Sequence, residues 1–211
     1  MRPLLHLSCA LAGLVLAIGS PALAQLDPQL FISPMGEPFR AAGDAPYPSA
    51  TWFAGADADH DGIITRSEFR DDAKRFFNVL DTNKDGLITD LEVQRYEYIL
   101  APEIIQATSD TSATPANGDP DSSYKHTPLS TVKQGAANFG FLEDPEPVRS
   151  TDVMFNRKIT LDEWMAAADR RFDLLVADGQ VGLRMQDLPT PPNQKLAAAA
   201  QKGLKGHKKD K

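Results

Sequence analysis

Thiol chemistry is nearly absent from this sequence: its 211 residues contain one cysteine, Cys9. That cysteine lies in a stretch built like a secretory signal peptide, with Met1-Arg2 at the start, a mostly apolar run from Leu4 to Ile18 broken by His6 and Ser8, and Ala22-Leu23-Ala24 at the end. Cleavage is expected after Ala24, and Leu7-Ser8 is not the small-residue context that a lipoprotein signal places before its cysteine. The 187 residues left of 211 then hold no thiol, which excludes disulfide scaffolds, thiolate metal sites and cysteine nucleophiles. The apolar run is too short to favour a permanent membrane span. No serine, histidine and acid spacing suggests a hydrolase and no glycine loop suggests phosphate binding, so an enzyme is not expected. Positive charge is also scarce in the body. Of 29 acidic and 22 basic residues, the leader takes one arginine and the tail from Thr190 takes six lysines and one acid, leaving residues 25–189 with 28 acids against 15 bases, a balance of −13. Such a body repels polyanions and concentrates cations, so nucleic acid is not an expected partner.

What the body does have is acid in a fixed order. Asp57-Ala58-Asp59-His60-Asp61-Gly62-Ile63-Ile64-Thr65-Arg66-Ser67-Glu68 and Asp81-Thr82-Asn83-Lys84-Asp85-Gly86-Leu87-Ile88-Thr89-Asp90-Leu91-Glu92 are two twelve-residue loops of one design. Both fit the pattern D-x-[DN]-x-[DN]-G-x5-E. Calcium takes six to eight oxygens at roughly 2.3–2.6 Å, so the chain must wrap acidic and carbonyl oxygens around one point. Positions 1, 3 and 5 supply Asp57, Asp59 and Asp61 in one loop and Asp81, Asn83 and Asp85 in the other. At position 7, Ile63 and Leu87 donate a backbone carbonyl, and at position 9, Thr65 and Thr89 reach the ion through water. Glu68 and Glu92 close position 12 with two oxygens each. Gly62 and Gly86 stand at the sharp turn, where a side chain would hinder the backbone. Ile64 and Ile88 are placed to face a neighbouring loop through a short strand pairing, and His60 points outward as a solvent-facing histidine.

On these residues the loops resemble those of the EF-hand superfamily, the calmodulin-like calcium proteins. The resemblance covers the two loops firmly and the rest of the chain in part. It implies helix-loop-helix units, an all-α fold and two bound Ca²⁺ ions.

Along the chain, residues 25–47 are rich in proline, glycine and alanine and are expected as an extended lead-in, with Phe31, Met35 and Phe39 as candidates to pack on the core. Residues 48–102 form the pair of intact loops. Between them Phe69, Ala73, Phe76, Phe77 and Leu80 recur at the spacing of one helical face. The loops start 24 residues apart, so one helix serves both, and loops at opposite ends of a rod cannot readily pair with each other. A partner appears downstream, where Ile159-Thr160-Leu161-Asp162-Glu163-Trp164 repeats Ile64-Thr65-Arg66-Ser67-Glu68-Phe69 and Arg170 to Leu175 repeats Arg75 to Leu80. In that frame a third loop runs from Asp152 to Glu163 and a fourth from Val176 to Asp187. Both depart from the pattern, with Met154 at position 3 and Arg157 at the glycine position of the third, and Val176, Gln180, Val181 and Asp187 in the fourth. Two intact and two degenerate hands, arranged as an internal repeat of closely spaced pairs, are therefore expected, each intact loop pairing with a degenerate one. Residues 103–134 read as a flexible linker, 135–189 as a docking segment (with Phe139, Phe141 and Leu142) plus the degenerate pair, and 190–211 as a basic tail. Trp52 and Trp164 sit beside loops at core-facing positions.

The expected function is calcium binding by an exported protein, periplasmic or secreted, acting as a buffer or as a calcium-dependent module for a protein partner. The alternative is a calcium-rigidified structural or envelope-attachment protein, held to an anionic surface by its lysine-rich tail.

Overall fold

The computed structural model of the chain describes residues 28–105, 133–196, 198 and 199. The leader, residues 1–24, the linker stretch 107–126 and the terminal lysine run 205–211 lie outside the described residues.

The first described element is a hairpin. β1 (Gln29–Ile32) and β2 (Pro38–Ala41) pair antiparallel, with Phe31 opposite Phe39. All of β1 is buried, so its sequence lacks the apolar and polar alternation that marks a half-exposed strand. Its outer face is covered from downstream: the Phe31 ring lies 4.7 Å from that of Phe141, and the Ile32 N–H donates to the Phe139 carbonyl at 3.1 Å.

This hairpin and two smaller strand pairs correct the all-α expectation. Of the described residues about 48% are helical, but about 12% are strand, in three two-stranded antiparallel sheets. The two smaller sheets have a simple cause. The position-8 isoleucines are buried, and their backbone groups need partners that water cannot supply there.

α1 (Ser49–Ala56) leads into the first loop, which ends in β3 (Ile64–Thr65). Then α2 (Arg66–Leu80) runs to the second loop, which ends in β4 (Leu87–Thr89) and continues as α3 (Asp90–Arg95). Downstream, β5 (Lys158–Thr160), α4 (Leu161–Leu175) and β6 (Gly182–Leu183) repeat the order. β3 pairs with β6, Ile64 opposite Leu183, and β4 pairs with β5, Ile88 opposite Ile159. The strand before α2 thus joins the strand after α4, and the reverse, so α2 and α4 lie antiparallel. The loop at 57–68 is backed by 176–187, and the loop at 81–92 by 152–163.

The core sits between the two helices. Phe69 of α2 meets Phe172 of α4 at 5.6 Å between ring centres, and Phe77 meets Trp164 at 5.9 Å. Both tryptophans are buried with their indole N–H satisfied, Trp164 donating to the Ala73 carbonyl at 2.8 Å and Trp52 to Asp72 at 3.0 Å. Arg66 and Arg70 tie the flank of α2 to Asp173 and Asp169 of α4. One contact is unusually close: a β-carbon on Gly182 would stand 2.6 Å from the Ile64 carbonyl oxygen. After α3 the helix widens into a π turn over Tyr96–Leu100. Tyr96 stays in the core while Ile99 turns out to solvent.

The segment 135–151 docks through one buried cation. Arg171 of α4 donates to Asp144 at 2.8 Å, to the Ser150 hydroxyl at 2.9 Å and to the Pro147 carbonyl at 2.7 Å. Beyond it, Asn193 donates to the Leu30 carbonyl at 2.7 Å, so the start of the tail rests on β1. Among the described residues no helix is long and apolar enough to cross a membrane. Removing Arg171 takes the cation from Asp144, which keeps the Ser150 hydroxyl and the Glu146 N–H as donors, and takes a donor from the carbonyl of the buried Pro147, so Arg171→Ala should lower stability by about 2–3 kcal/mol in urea denaturation followed by tryptophan fluorescence. An unchanged midpoint would show that the segment docks without this contact.

Candidate metal centres

Both acidic loops are folded around their first aspartate. Asp57 is buried, and its two carboxylate oxygens accept from the N–H of Asp61 at 3.2 Å and of Gly62 at 2.9 Å. Asp59 and Asp61 turn their carboxylates back onto the backbone, accepting from Asp61 N–H at 3.2 Å and Ile63 N–H at 2.8 Å. Asp81 does the same in the second loop, accepting from Asp85 at 3.1 Å and Gly86 at 2.9 Å, with Asn83 and Asp85 accepting at 2.9 Å from the N–H of Asp85 and Leu87. Gly62 and Gly86 have φ of +84° and +83°, the left-handed region that a β-carbon disfavours.

Glutamate joins the two ends of each loop. Glu68 Oε1 accepts from Ala58 N–H at 2.9 Å, near the start, while Oε2 accepts from the Thr65 N–H and hydroxyl at 2.8 and 2.7 Å. Glu92 repeats this with Thr82 N–H at 2.8 Å and with the Thr89 N–H and hydroxyl at 2.8 and 2.9 Å. Each glutamate is also the third residue of the following helix and completes a capping box with its threonine. The residue that closes the loop therefore also starts the helix.

The donor set fits calcium. One ligand oxygen from each of Asp57, Asp59 and Asp61 lies within 4.8 Å of the others. Oxygens on a single Ca²⁺ stand at most about 5 Å apart, so the three can share one ion without refolding. In the second loop the neutral Asn83 takes the middle place, and the formal charge among the side-chain ligands falls from four carboxylates to three. Ile63 and Leu87 lie at the strand edge, where their carbonyls follow Gly62 and Gly86 around the turn. His60 is exposed at φ +59° and stands outside the cluster.

The third loop keeps the same backbone without the ligands. Position 4 is left-handed in all three loops, at His60, Lys84 and Phe155, and so is position 6, at Gly62, Gly86 and Arg157. Asp152 accepts from Asn156 N–H at 3.1 Å and Arg157 N–H at 2.7 Å, matching Asp57 and Asp81. Thr160 and Glu163 form the same capping box. But Met154 offers no oxygen, and Arg157 holds a φ of +62° that costs a non-glycine residue about 1–2 kcal/mol. The fourth loop lacks even the first carboxylate, with Val176 in that place. Nothing in the sequence pattern marked the third loop's backbone as intact, because its glycine is replaced.

Hydrogen bonds from the Thr65 hydroxyl and backbone hold the Glu68 carboxyl below the ordinary carboxylate range. Burial pushes Glu92 up, but the bonds from Thr89 and Thr82 outweigh it and leave that carboxyl lowered too. Groups lowered by folding stabilise the native state above their unfolded value, about 4.3 for glutamate, and lose that contribution as pH falls through the lower folded value. Thermal melts in chelator should therefore show stability falling below about pH 4.3 in the parent and a flatter profile in Glu68→Gln. Identical profiles would show that these hydrogen bonds carry no linkage.

Residues 50–71 and 73–95 each match the EF hand family. No curated protein and no solved structure matches the chain. The matched segments contain both acidic loops with the helices before and after them, and the geometry at Asp57 and Asp81 is the one such loops require. Residues 50–95, the part of the chain that the EF hand family covers, are a pair of EF-hands.

Proposed function

We propose that this is an exported protein that binds two Ca²⁺ ions, one held by Asp57, Asp59, Asp61, the Ile63 carbonyl, Thr65 and Glu68, the other by Asp81, Asn83, Asp85, the Leu87 carbonyl, Thr89 and Glu92. The observation that carries the reading is the convergence of three aspartate oxygens within 4.8 Å at the mouth of the first loop. Crowded carboxylates repel, and a divalent cation relieves that repulsion, so binding stabilises the folded chain by mass action, by about 2.7 kcal/mol when calcium is 100-fold above its dissociation constant. Export is supported by the leader pattern of residues 1–24, and outside the cytosol a dissociation constant of about 10⁻⁴–10⁻³ M is sufficient for occupancy.

The ligand loops are already closed by their own hydrogen bonds, and the helix faces between them are packed on each other. Calcium then locks a preformed shape, which favours a buffer or a rigidified module over a sensor that opens a groove. Isothermal titration of the purified chain should give two sites, and Glu68→Gln and Glu92→Gln should each leave one. A hydrophobic dye added during the same titration should show little extra fluorescence, and a strong calcium-dependent rise would assign the protein to the sensors. Absence of heat and of thermal stabilisation at millimolar calcium would refute the reading. For export, the amino terminus of the mature form is expected at Gln25.

A further inference from the structure

The third loop carries Met154 where the intact loops carry an oxygen ligand, and apolar residues on either side of it. Val153, Met154 and Phe155 are 48%, 71% and 89% exposed, three consecutive apolar side chains at the tip of a turn. Phe155 holds a left-handed backbone at φ +53°, a conformation that a bulky aromatic disfavours, and its ring packs on no other aromatic ring among the described residues. Position 4 is left-handed in the two intact loops as well, at His60 and Lys84, so this backbone belongs to the loop's shape, and what sets Phe155 apart is its exposed ring. At the base of the same turn stand Arg157 and Lys158, whose side chains pair with no carboxylate among the described residues. The exposed Leu91 lies in the first turn of α3, just past the end of the sheet where Thr89 pairs with Lys158.

We infer that residues 153–158 form a membrane-docking tip, which inserts Met154 and Phe155 into an anionic lipid surface while Arg157 and Lys158 engage the lipid phosphates. The order of the groups matches the layers of a bilayer interface: apolar side chains at the projecting end reach the acyl boundary, and the cations behind them lie at headgroup depth. The size argues against a protein partner. A stable protein interface takes about 20–30 residues a side, against the six of 153–158. Asp152 ties down the turn that presents Phe155. The six lysines beyond Thr190 supply further attraction of the same sign. The inference does not depend on calcium occupying either intact loop.

The test is co-sedimentation of the purified chain with vesicles of phosphatidylcholine alone and of phosphatidylcholine mixed with phosphatidylglycerol, with calcium present. Retention is expected on the anionic vesicles only. Phe155→Asn, which suits the left-handed backbone, and Met154→Ser should each weaken it about tenfold, the loss of burial of one large apolar side chain. Phe155→Asn should melt no lower than the parent, separating lost docking from lost folding. The inference is overturned if the chain does not pellet. It is equally overturned if pelleting survives both substitutions, because the lysine tail or calcium bridging then carries it. A parent that is dimeric by light scattering and made monomeric by these substitutions would assign the tip to a second copy of the chain instead.

Discussion

Two acidic loops joined by one fifteen-residue helix cannot reach each other, and most of the architecture follows from that distance. α2 spans about 22 Å, which puts the aspartates of one loop and those of the next at opposite ends of a rod. Each loop ends in a strand whose isoleucine is buried, so each needs an outside strand to satisfy its backbone. A second rod of the same length, α4, supplies both strands when it lies antiparallel to α2. The apolar faces that then meet, led by Phe69, Phe76 and Phe77 on one side and Trp164 and Phe172 on the other, make the core. Hairpin β1–β2 and the segment around Phe141 close over its remaining side.

Loop shape and ion chemistry separate cleanly in this molecule. Three loops share left-handed residues at two places and an aspartate that folds its carboxylate back onto the backbone amides. The shape therefore comes from local hydrogen bonding and capping, with Thr65, Thr89 and Thr160 starting the next helix in each case. Which of these loops suits a cation is decided by the side chains at positions 3, 5 and 6. Oxygen-bearing residues and glycine give a calcium site, while Met154 and Arg157 give a turn of different character.

The two intact loops were legible in the sequence because their ligand order is dictated by coordination chemistry and does not depend on the rest of the fold. The helical face between them was equally clear, since five apolar residues keep one period. The internal repeat made the downstream loops visible through Ile159, Thr160, Glu163 and Trp164, although it did not reveal which loop faces which. That choice is made by the antiparallel packing of α2 on α4, a tertiary fact. The hairpin was missed because Leu30, Phe31 and Ile32 are all buried and show no alternation. The strands in the loops are two or three residues long, too short for any period to register.

Gly182 shows how little chemistry the fourth loop must carry to be indispensable. Its backbone lies so near the Ile64 carbonyl that hydrogen is the only substituent with room there, while Asp178, Gln180 and Val181 stand exposed and unconstrained. The requirements on 176–187 are clearance at Gly182 and burial at Leu183. The exposed side chains of such a segment carry little of the fold, yet the wall behind the first aspartate nest hangs on the absence of a single methyl group.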